Sequence, residues 1–463
     1  MKGAHKVGRM KGRDLVLCGL GLGIVLMTLG GLAQRAPSDL GGMDRHRAVV
    51  YIIYAAAAGI LYAVAAWLVQ RRPGGRGTIW IVLALAGVMR ALTFDSPPLL
   101  STDLYRYVWD GKVQAAGLNP YLYLPAAPEL QGLRDGVAGA EAIYPNINRA
   151  GYAPTIYPPV AQAIFAAVGR VWPTIWGMKA AMLAFDALAI AAALLLLRTA
   201  GLPAERVLIL AWNPLTVWEF AGGGHIDAAA LAFSGMALLL AARRFPAAAG
   251  LALGAAVLCK LLPAALFPAV WRRWDLRTPL ACGALIVAGY LCYAGAGWRV
   301  LGYLPGYASE EGLGDGGGFF LLRLWALLGP LPSWAGAAYA MTAAVGLLGL
   351  AGWIALRTPL PDLPGPRAIM ICRDALGLTV ATMSALSPHY PWYFTALALP
   401  IVLAPAPWAV WLTLAAPVLY LDHGLGQVAA PAALFIPFAC LLAFDLFRRR
   451  AGSVLQPATT GGL

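Results

Sequence analysis

Three charged residues lie close together in the stretch TDLYRYVWDG, and their spacing fits acid–base chemistry. Asp103 precedes Arg106 by three positions, and Asp110 follows Arg106 by four. If this segment is helical, each acid shares a helix face with Arg106. A carboxylate can take the proton of an attacking hydroxyl, and a neighbouring cation can hold a phosphate. The alternative interpretation is structural, with Asp103 capping a short helix and pairing with Arg106.

Further polar residues interrupt apolar segments, where burying them costs free energy. His225 and Asp227 lie in EFAGGGHIDAAAL, Lys260 in LALGAAVLCKLLP, and His389 in SALSPHYPWYF. Lys260 comes roughly 21 Å of helical rise into its segment, which is too deep for its side chain to reach the near surface. A lone histidine is more often a helix-end residue than a ligand. The argument for His389 is that all these residues and Asp103 map to one membrane face.

The composition indicates a membrane protein. Of 463 residues, 60% are hydrophobic and only 12% are charged, which excludes a soluble domain of this size. Apolar runs recur along the chain and predict an all-α polytopic bundle of about 12–14 transmembrane segments. The net charge of +13 comes mostly from short loops between these runs. That positive-inside pattern excludes a nucleic-acid-binding surface and predicts cytoplasmic N- and C-termini.

The longest polar stretch, 95–159, is predicted to be a large first extracytoplasmic loop that carries short interfacial helices. Three predicted helices precede it, so a cytoplasmic N-terminus puts this loop outside. Residues 205–221 are predicted as one helix, and 245–274 as a hairpin broken at two prolines. The single integral membrane domain, 1–463, is divided into an N-terminal helical hairpin (1–77), a catalytic core (78–404), and C-terminal helices with a cytoplasmic tail (405–463).

Five stretches, in this order, resemble the GT-C superfamily of membrane glycosyltransferases: STDLYRYVWDGKVQAAGLNPY, IYPPVAQ, NPLTVWEFAGGGHID, LALGAAVLCKLLP and SPHYPWYFTALALP. The most similar group is the bacterial polyprenyl-phosphate-mannose-dependent mannosyltransferases, glycosyltransferase family 87 and relatives. The similarity covers about residues 78–404, and the hairpin before this core departs from the simplest family pattern. The resemblance implies inverting transfer of a hexose, mannose in that group, from a polyprenyl-phosphate donor to a lipid or glycan acceptor on the extracytoplasmic face.

The resemblance also implies roles for individual residues. The family's first-loop acid matches Asp103, which becomes the catalytic base. The leaving phosphate needs basic donors, and the sugar and acceptor hydroxyls need polar partners. The substrate-binding candidates are Arg106, Asp110, His225, Asp227, Lys260, Arg323 and His389. No cofactor is expected, because a glycosyl phosphate already carries a good leaving group. A divalent metal at Asp103, Asp110 and Glu310-Glu311 is the less favoured alternative.

Two other function classes fit parts of the pattern. A transporter or lipid flippase would explain the broken hairpin and the intramembrane charges of Lys260 and Asp186, but not a long outside loop rich in acids and tyrosines. A polymerase or ligase of lipid-linked glycans also uses a large outside loop. The predicted partners are therefore a polyprenyl-phosphate sugar donor, a lipid or glycan acceptor and the lipid bilayer, with no nucleic acid.

Overall fold

The computed structural model describes residues 12–33, 45–71, 74–75, 77–134, 141–357, 360–421 and 426–454. These residues form helices and connecting turns without any β-strand, which confirms the predicted all-α class. The basic residues ahead of residue 12, and Arg72 and Arg76 of the first cytoplasmic turn, lie outside the described ranges.

Nineteen α-helices follow one another along the described chain, and short 3-10 or π turns extend several of them. They are α1 (Gly12–Leu32), α2 (Arg45–Arg71), α3 (Thr78–Phe94), α4 (Asp103–Ala115), α5 (Pro159–Val171), α6 (Ile175–Ala200), α7 (Leu208–Ala211), α8 (Pro214–Thr216), α9 (Asp227–Ala242), α10 (Pro246–Val257), α11 (Phe267–Val270), α12 (Arg277–Leu291), α13 (Leu304–Glu310), α14 (Phe320–Ala326), α15 (Ala335–Leu356), α16 (Pro364–Leu386), α17 (Ala398–Leu403), α18 (Pro407–Ala415) and α19 (Gly426–Val454).

Six of the described helices are long and apolar enough to cross a bilayer: α1, α2, α6, α15, α16 and α19. A seventh span results if α12 and the bent segment Ala294–Glu310, which meet at 111°, count together. Shorter apolar helices of 10–17 residues fill out the bundle. The polytopic membrane class is confirmed, but fewer segments cross as single long helices than the 12–14 that the sequence predicts.

The predicted helix 205–221 is wrong as a continuous element. It consists of a 3-10 turn, the short helices α7 and α8, and a π-helix at Val217–Gly222. The break falls at Asn213, which lies before Pro214 and accepts a hydrogen bond from the Leu215 amide on its side chain, at 3.0 Å. Proline lacks the donor that a continuous helix needs, so α7 ends and a new helix begins there. The predicted hairpin is also broken, between α10 and the turn at Leu262–Leu266.

Helix α4 is held by close backbone contact with α5. A Cβ atom added at Gly111 would lie 2.3 Å from the carbonyl oxygen of Phe165, and one at Gly169 would lie 2.2 Å from that of Gly111. Only glycine permits this approach. The packing of α5 against α4 thus fixes the position of α4.

Buried charges connect α6 to α3, the helix that leads into the long loop at residues 95–159. Arg90 of α3 forms an ion pair with Asp186 of α6 and donates to the Ala211 carbonyl at 2.6 Å. Lys179 donates to the Thr93 and Phe94 carbonyls at 3.1 and 2.7 Å, which caps the C-terminus of α3. The Asp186 carboxylate, an intramembrane charge in the sequence, therefore pairs with a neighbouring helix. These contacts fix the start of the loop that carries α4.

Candidate functional site

A cavity of about 710 Å³ lies at the N-terminus of α4. This volume is typical of a small-molecule site. Asp103 and Lys260 both line it, although 157 positions separate them in the sequence. Its lining includes aromatic rings, among them Tyr303, Tyr307, Tyr390, Trp392 and Tyr393, and apolar side chains, among them Leu261, Leu262, Met383 and Leu386. Asp103 and Lys260, which the sequence assigns to one membrane face, thus line the same cavity.

Asp103 is the first residue of α4, and its carboxylate faces the cavity. Thr102 is the N-cap, but no side-chain cap bond forms there. The Asp103 carboxylate instead accepts a hydrogen bond from Asn148 Nδ2 at 3.1 Å. This bond joins α4 to a later part of the same loop, residues 95–159. A negative charge in the first helical turn also gains from the helix dipole. Among the described residues, no cation pairs with Asp103, so the capping and ion-pair interpretation does not describe its contacts.

Arg106 and Asp110 form a separate, buried pair. Arg106 Nε donates to Asp110 Oδ1 at 2.9 Å, and its Nη1 donates to the Ala153 carbonyl at 2.9 Å. Asp110 Oδ2 accepts from Thr155 Oγ1 at 2.5 Å and from Gln162 Nε2 at 3.0 Å. Arg106 touches the cavity, whereas Asp110 is 1% exposed and does not line it. The network connects α4 to α5 and to the loop between them. Asp110 therefore helps to fix α4 in place and does not face the cavity.

Lys260 follows α10 and is paired within the cavity wall. Its Nζ donates to Asp227 Oδ2, at the start of α9, at 2.8 Å. The same ammonium lies 4.5 Å from the centroid of the Tyr393 ring, which is a cation–π distance. Asp227 lies under this lysine and borders a small side cavity rather than the main one. Lys260 therefore presents a fixed positive charge where the break after α10 meets the cavity.

The two predicted histidine ligands, His225 and His389, lie beside the cavity without lining it. His225 is 1% exposed, with its ring stacked on Trp392 at 4.3 Å and its Nε2 3.5 Å from Glu219. His389 Nδ1 lies 2.9 Å from Glu311 Oε2, and its Nε2 lies 3.0 Å from both the Gly318 carbonyl and Arg323 Nη2. Burial lowers the pKa of His389, but the Glu311 carboxylate outweighs burial and raises it above 6.5.

Arg323 connects the loop between α13 and α14 to α19. Its Nε donates to the Gly317 carbonyl at 2.6 Å and its Nη1 donates to the Gln427 carbonyl at 2.7 Å. It also contacts His389. Arg323 is thus engaged with backbone groups near α14 and α19, and it does not line the cavity.

Asn148 and Arg149 line the cavity but were not singled out in the sequence. Arg149 has a φ of 56°, a left-handed conformation that is costly for a residue with a Cβ. Arg149 Nε donates to Glu310 Oε2 at 2.7 Å, and Tyr303 donates to the other oxygen of Glu310 at 2.7 Å. The loop at residues 95–159 is therefore connected to α13 at the cavity rim. Asn148 and Arg149 lie in a polar loop without helical or strand periodicity, so no pattern in the sequence indicated that they line the site.

The donor set offers little for a metal ion. Among the described residues, no group of three or more His, Cys, Asp or Glu side chains lies close enough together to hold one. Asp103 and Asp110, which the sequence suggested as metal ligands, point to different partners. Two carboxylates, those of Asp103 and Glu311, line the cavity together with cations and aromatic rings.

A family model matches residues 12–275, more than half of the chain. It is the MptA_B family, described as alpha-(1->6)-mannopyranosyltransferase, N-terminal domain. The chain belongs to this mannosyltransferase family. The match begins within α1, so it includes the N-terminal hairpin that the sequence resemblance left out. A search of curated proteins and a search of solved structures each found no match.

The family assignment decides between the function classes considered above. A mannosyltransferase of the GT-C type is confirmed, and with it transferase activity in a membrane protein. The match does not support the narrower assignment to glycosyltransferase family 87. A transporter loses its main support as well, because the ion pairs of Asp186 and Lys260 explain the intramembrane charges that had suggested one. Asp103 and Lys260 both fall within the matched residues.

Proposed function

We propose that this mannosyltransferase moves mannose from a polyprenyl phosphate to an acceptor hydroxyl on the extracytoplasmic face, with inversion at the anomeric carbon. The observation that carries the proposal is that Asp103 and Lys260, an acid and a cation, line one cavity between aromatic and apolar walls. The description of the family adds an α-(1→6) linkage. The acceptor is then a lipid or glycan that offers a primary hydroxyl.

The chemistry needs one base and one site for negative charge. The oxygen of the acceptor hydroxyl attacks the anomeric carbon, and Asp103 accepts the proton of that hydroxyl. The bond from that carbon to the phosphate oxygen breaks, and polyprenyl phosphate leaves with the bonding electrons. Lys260 stabilises the charge that develops on this leaving group. A single displacement from the opposite side inverts the anomeric carbon, so a β-linked donor yields an α-linked product.

The wall beyond Lys260 suits a lipid-linked donor. Leu261, Leu262 and Ala264 follow Lys260 directly in the chain and line the cavity. Met383 and Leu386, near the end of α16, add to the same apolar surface. A polyprenyl phosphate has an anionic head and a long apolar tail. A fixed cation at the head of an apolar surface matches both parts at once.

The donor test compares two forms of activated mannose. Purified protein in nanodiscs receives synthetic polyprenyl-phosphate mannose or GDP-mannose, each with octyl α-mannopyranoside as acceptor. We expect a disaccharide only from the lipid-linked donor, with an α-(1→6) linkage by NMR. A product from GDP-mannose alone would contradict the proposed donor.

The sidedness of the site is tested separately. A topology reporter fused after Arg244 should report the cytoplasm, and one fused after Asp135 should report the outside. The two outcomes follow from the basic residues at predicted cytoplasmic helix ends. A cytoplasmic signal at residue 135 would remove the extracytoplasmic site from the proposal.

A further inference from the structure

We propose that Arg47, in the first turn of α2, binds the phosphate group of a lipid substrate, so that the N-terminal hairpin completes the site. This inference rests on the proposed function, because it concerns the same cavity. It extends that proposal by assigning a binding residue to a helix that the sequence places outside the catalytic core.

Arg47 brings a distant part of the chain to the cavity. The other described residues that line it lie at positions 98–158, 259–265, 303–313 and 382–393, whereas Arg47 comes from α2 and is half-buried. The family match begins at residue 12 and therefore includes this helix. The N-terminal hairpin thus contributes a cation to the cavity that also contains Asp103 and Lys260.

The first turns of α2 pack against residues of the cavity. Ala48 and Tyr51, which follow Arg47 on α2, are buried in one apolar cluster with Trp392. Leu100, which precedes α4, packs against the same cluster. Trp392 and Leu100 both line the cavity. The backbone that carries Arg47 is therefore fixed relative to the site.

Neither the helix nor the membrane explains a basic residue at this position. The N-terminus of a helix carries partial positive charge, so a cation in the first turn is unfavourable. The sequence of α2 nevertheless begins with RHR, and its first turn contains no acid. On the proposed topology this end of α2 is extracytoplasmic, where the positive-inside rule disfavours arginine. Binding of an anion accounts for a cation that opposes both effects.

The phosphate is the anionic group of the proposed reaction. Lys260, the cation assigned to it above, already forms an ion pair with Asp227. When the bond to the anomeric carbon breaks, the phosphate diester becomes a monoester and its negative charge increases. A second cation in the cavity stabilises that added charge. The planar guanidinium of Arg47 can donate two parallel hydrogen bonds to phosphate oxygens, which an ammonium cannot do.

Two lipids can bring a phosphate to Arg47. One is the polyprenyl-phosphate donor, and the other is an acceptor whose mannose is carried by an anionic phospholipid. The cavity lining does not separate a donor region from an acceptor region, because Lys260 lies 4.5 Å from the Tyr393 ring of the same lining. Experiments with both lipids therefore decide which phosphate Arg47 binds, and an uncharged acceptor provides the reference.

Steady-state kinetics of Arg47→Gln, which removes the charge, test this role. We expect KM to rise about tenfold for the lipid whose phosphate Arg47 binds, either polyprenyl-phosphate mannose or a mannosyl phospholipid acceptor. KM for the uncharged octyl α-mannopyranoside should change by less than about twofold. Arg47→Lys keeps the charge but not the paired hydrogen bonds, so its effect should be intermediate. Arg299→Gln, which removes an exposed cation outside the cavity, is the matched control and should change none of these constants.

Binding without turnover separates this inference from the proposed reaction. Isothermal titration of a short-chain polyprenyl phosphate and of a short-chain mannosyl phospholipid should show that at least one binds Arg47→Gln more weakly than wild-type protein. That result would support the phosphate role even if transfer from the polyprenyl donor failed. Equal binding of both lipids would overturn it even if that transfer were robust.

Thermal unfolding distinguishes a structural role of Arg47. A loss of stability in Arg47→Gln with unchanged KM values would overturn the inference, because Arg47 would then support the fold without binding a substrate. If Arg47→Gln does not elute as a monodisperse species, Arg47→Lys serves with the same expected direction, because it retains the charge but loses the paired hydrogen bonds.

Discussion

Asn148 donates a hydrogen bond from its Nδ2 to the Asp103 carboxylate at 3.1 Å, while Arg106, three residues from that acid, pairs with Asp110 instead. The sequence spacing allowed Arg106 to pair with either acid, and the structure assigns it to the buried one. Asp103 thus faces the cavity with a neutral partner. Because no ion pair among the described residues occupies the Asp103 carboxylate, it can accept a proton from a substrate.

The first prediction concerns this hydrogen bond. Asn148→Ala removes the donor that orients Asp103, and we expect kcat to fall about tenfold, since hydrogen bonds to charged groups contribute about 1.5–3 kcal/mol. The measurement is steady-state mannosyl transfer by purified protein. Asn119→Ala is the matched control, because the Asn119 side chain bonds the Tyr121 amide and does not line the cavity. Equal kcat values in the two variants would remove the orienting role of Asn148.

A second prediction concerns donor binding at Lys260. Lys260→Ala removes the cation of the cavity wall, so KM for the polyprenyl donor should rise about tenfold or more. Lys260→Ala also leaves the buried Asp227 carboxylate without its partner, which lowers stability. The double variant Lys260→Ala, Asp227→Asn removes that unpaired charge, so it should be as stable as wild type while its donor KM stays high. Arg299→Ala, which removes an exposed cation between α12 and α13, is the control. An unchanged donor KM in both Lys260 variants would remove Lys260 from the phosphate site.

The third prediction concerns the contact between α4 and α5. Gly111→Ala forces a methyl group against the Phe165 carbonyl, and we expect a loss of stability of about 1–3 kcal/mol together with lower activity. Thermal unfolding in detergent measures the change. Gly87→Ala is the matched control on α3, where an added Cβ meets nothing within 4 Å. A Gly111→Ala protein as stable as Gly87→Ala would contradict the close approach of the two helices.

The sequence predicts the membrane helices well and the site in part. The last of the three helices predicted before the loop at 95–159 covers residues 78–94, and it agrees with α3 at both ends. Its apolar run is bounded in the sequence by a glycine-rich turn and by Asp95. A long apolar run can be recognised from the local sequence alone, because its helix forms in the membrane whatever it packs against. Asn148 escaped notice because its role depends on how two distant parts of one loop fold together. Asp110 shows the converse, since its spacing from Arg106 was visible but its burial was not.

The fourth prediction concerns pH and residues 304–318, which include α13 and most of the loop before α14. The His389 pKa is raised in the folded protein by Glu311, so protonated His389 stabilises the folded state below about pH 6.5. That contribution is lost as the pH rises through the folded-state pKa. Arg323, on the other side of the ring, opposes protonation. We therefore expect amide exchange in residues 304–318 to be faster, after correction for intrinsic rates, at pH 8.5 than at pH 6.0.

Glu311→Gln provides the control for this pH effect. Without the carboxylate, His389 loses the partner that raises its pKa, so the corrected exchange rates should differ less between the two pH values. The exchange of α6, which lies away from this pair, should show no pH effect in either protein. A pH dependence of the same size in wild-type protein and Glu311→Gln would show that another group controls this loop.

The central claim is that Asp103 is the base of mannosyl transfer, and Asp103→Asn tests it most directly. Asn keeps the volume of the side chain but cannot take a proton. Purified, monodisperse Asp103→Asn should bind polyprenyl-phosphate mannose as wild type does, while its turnover falls about 10²- to 10⁴-fold. Glu129→Gln, which changes an exposed acid of the same loop, should keep its turnover. Near-normal turnover in Asp103→Asn would contradict the account.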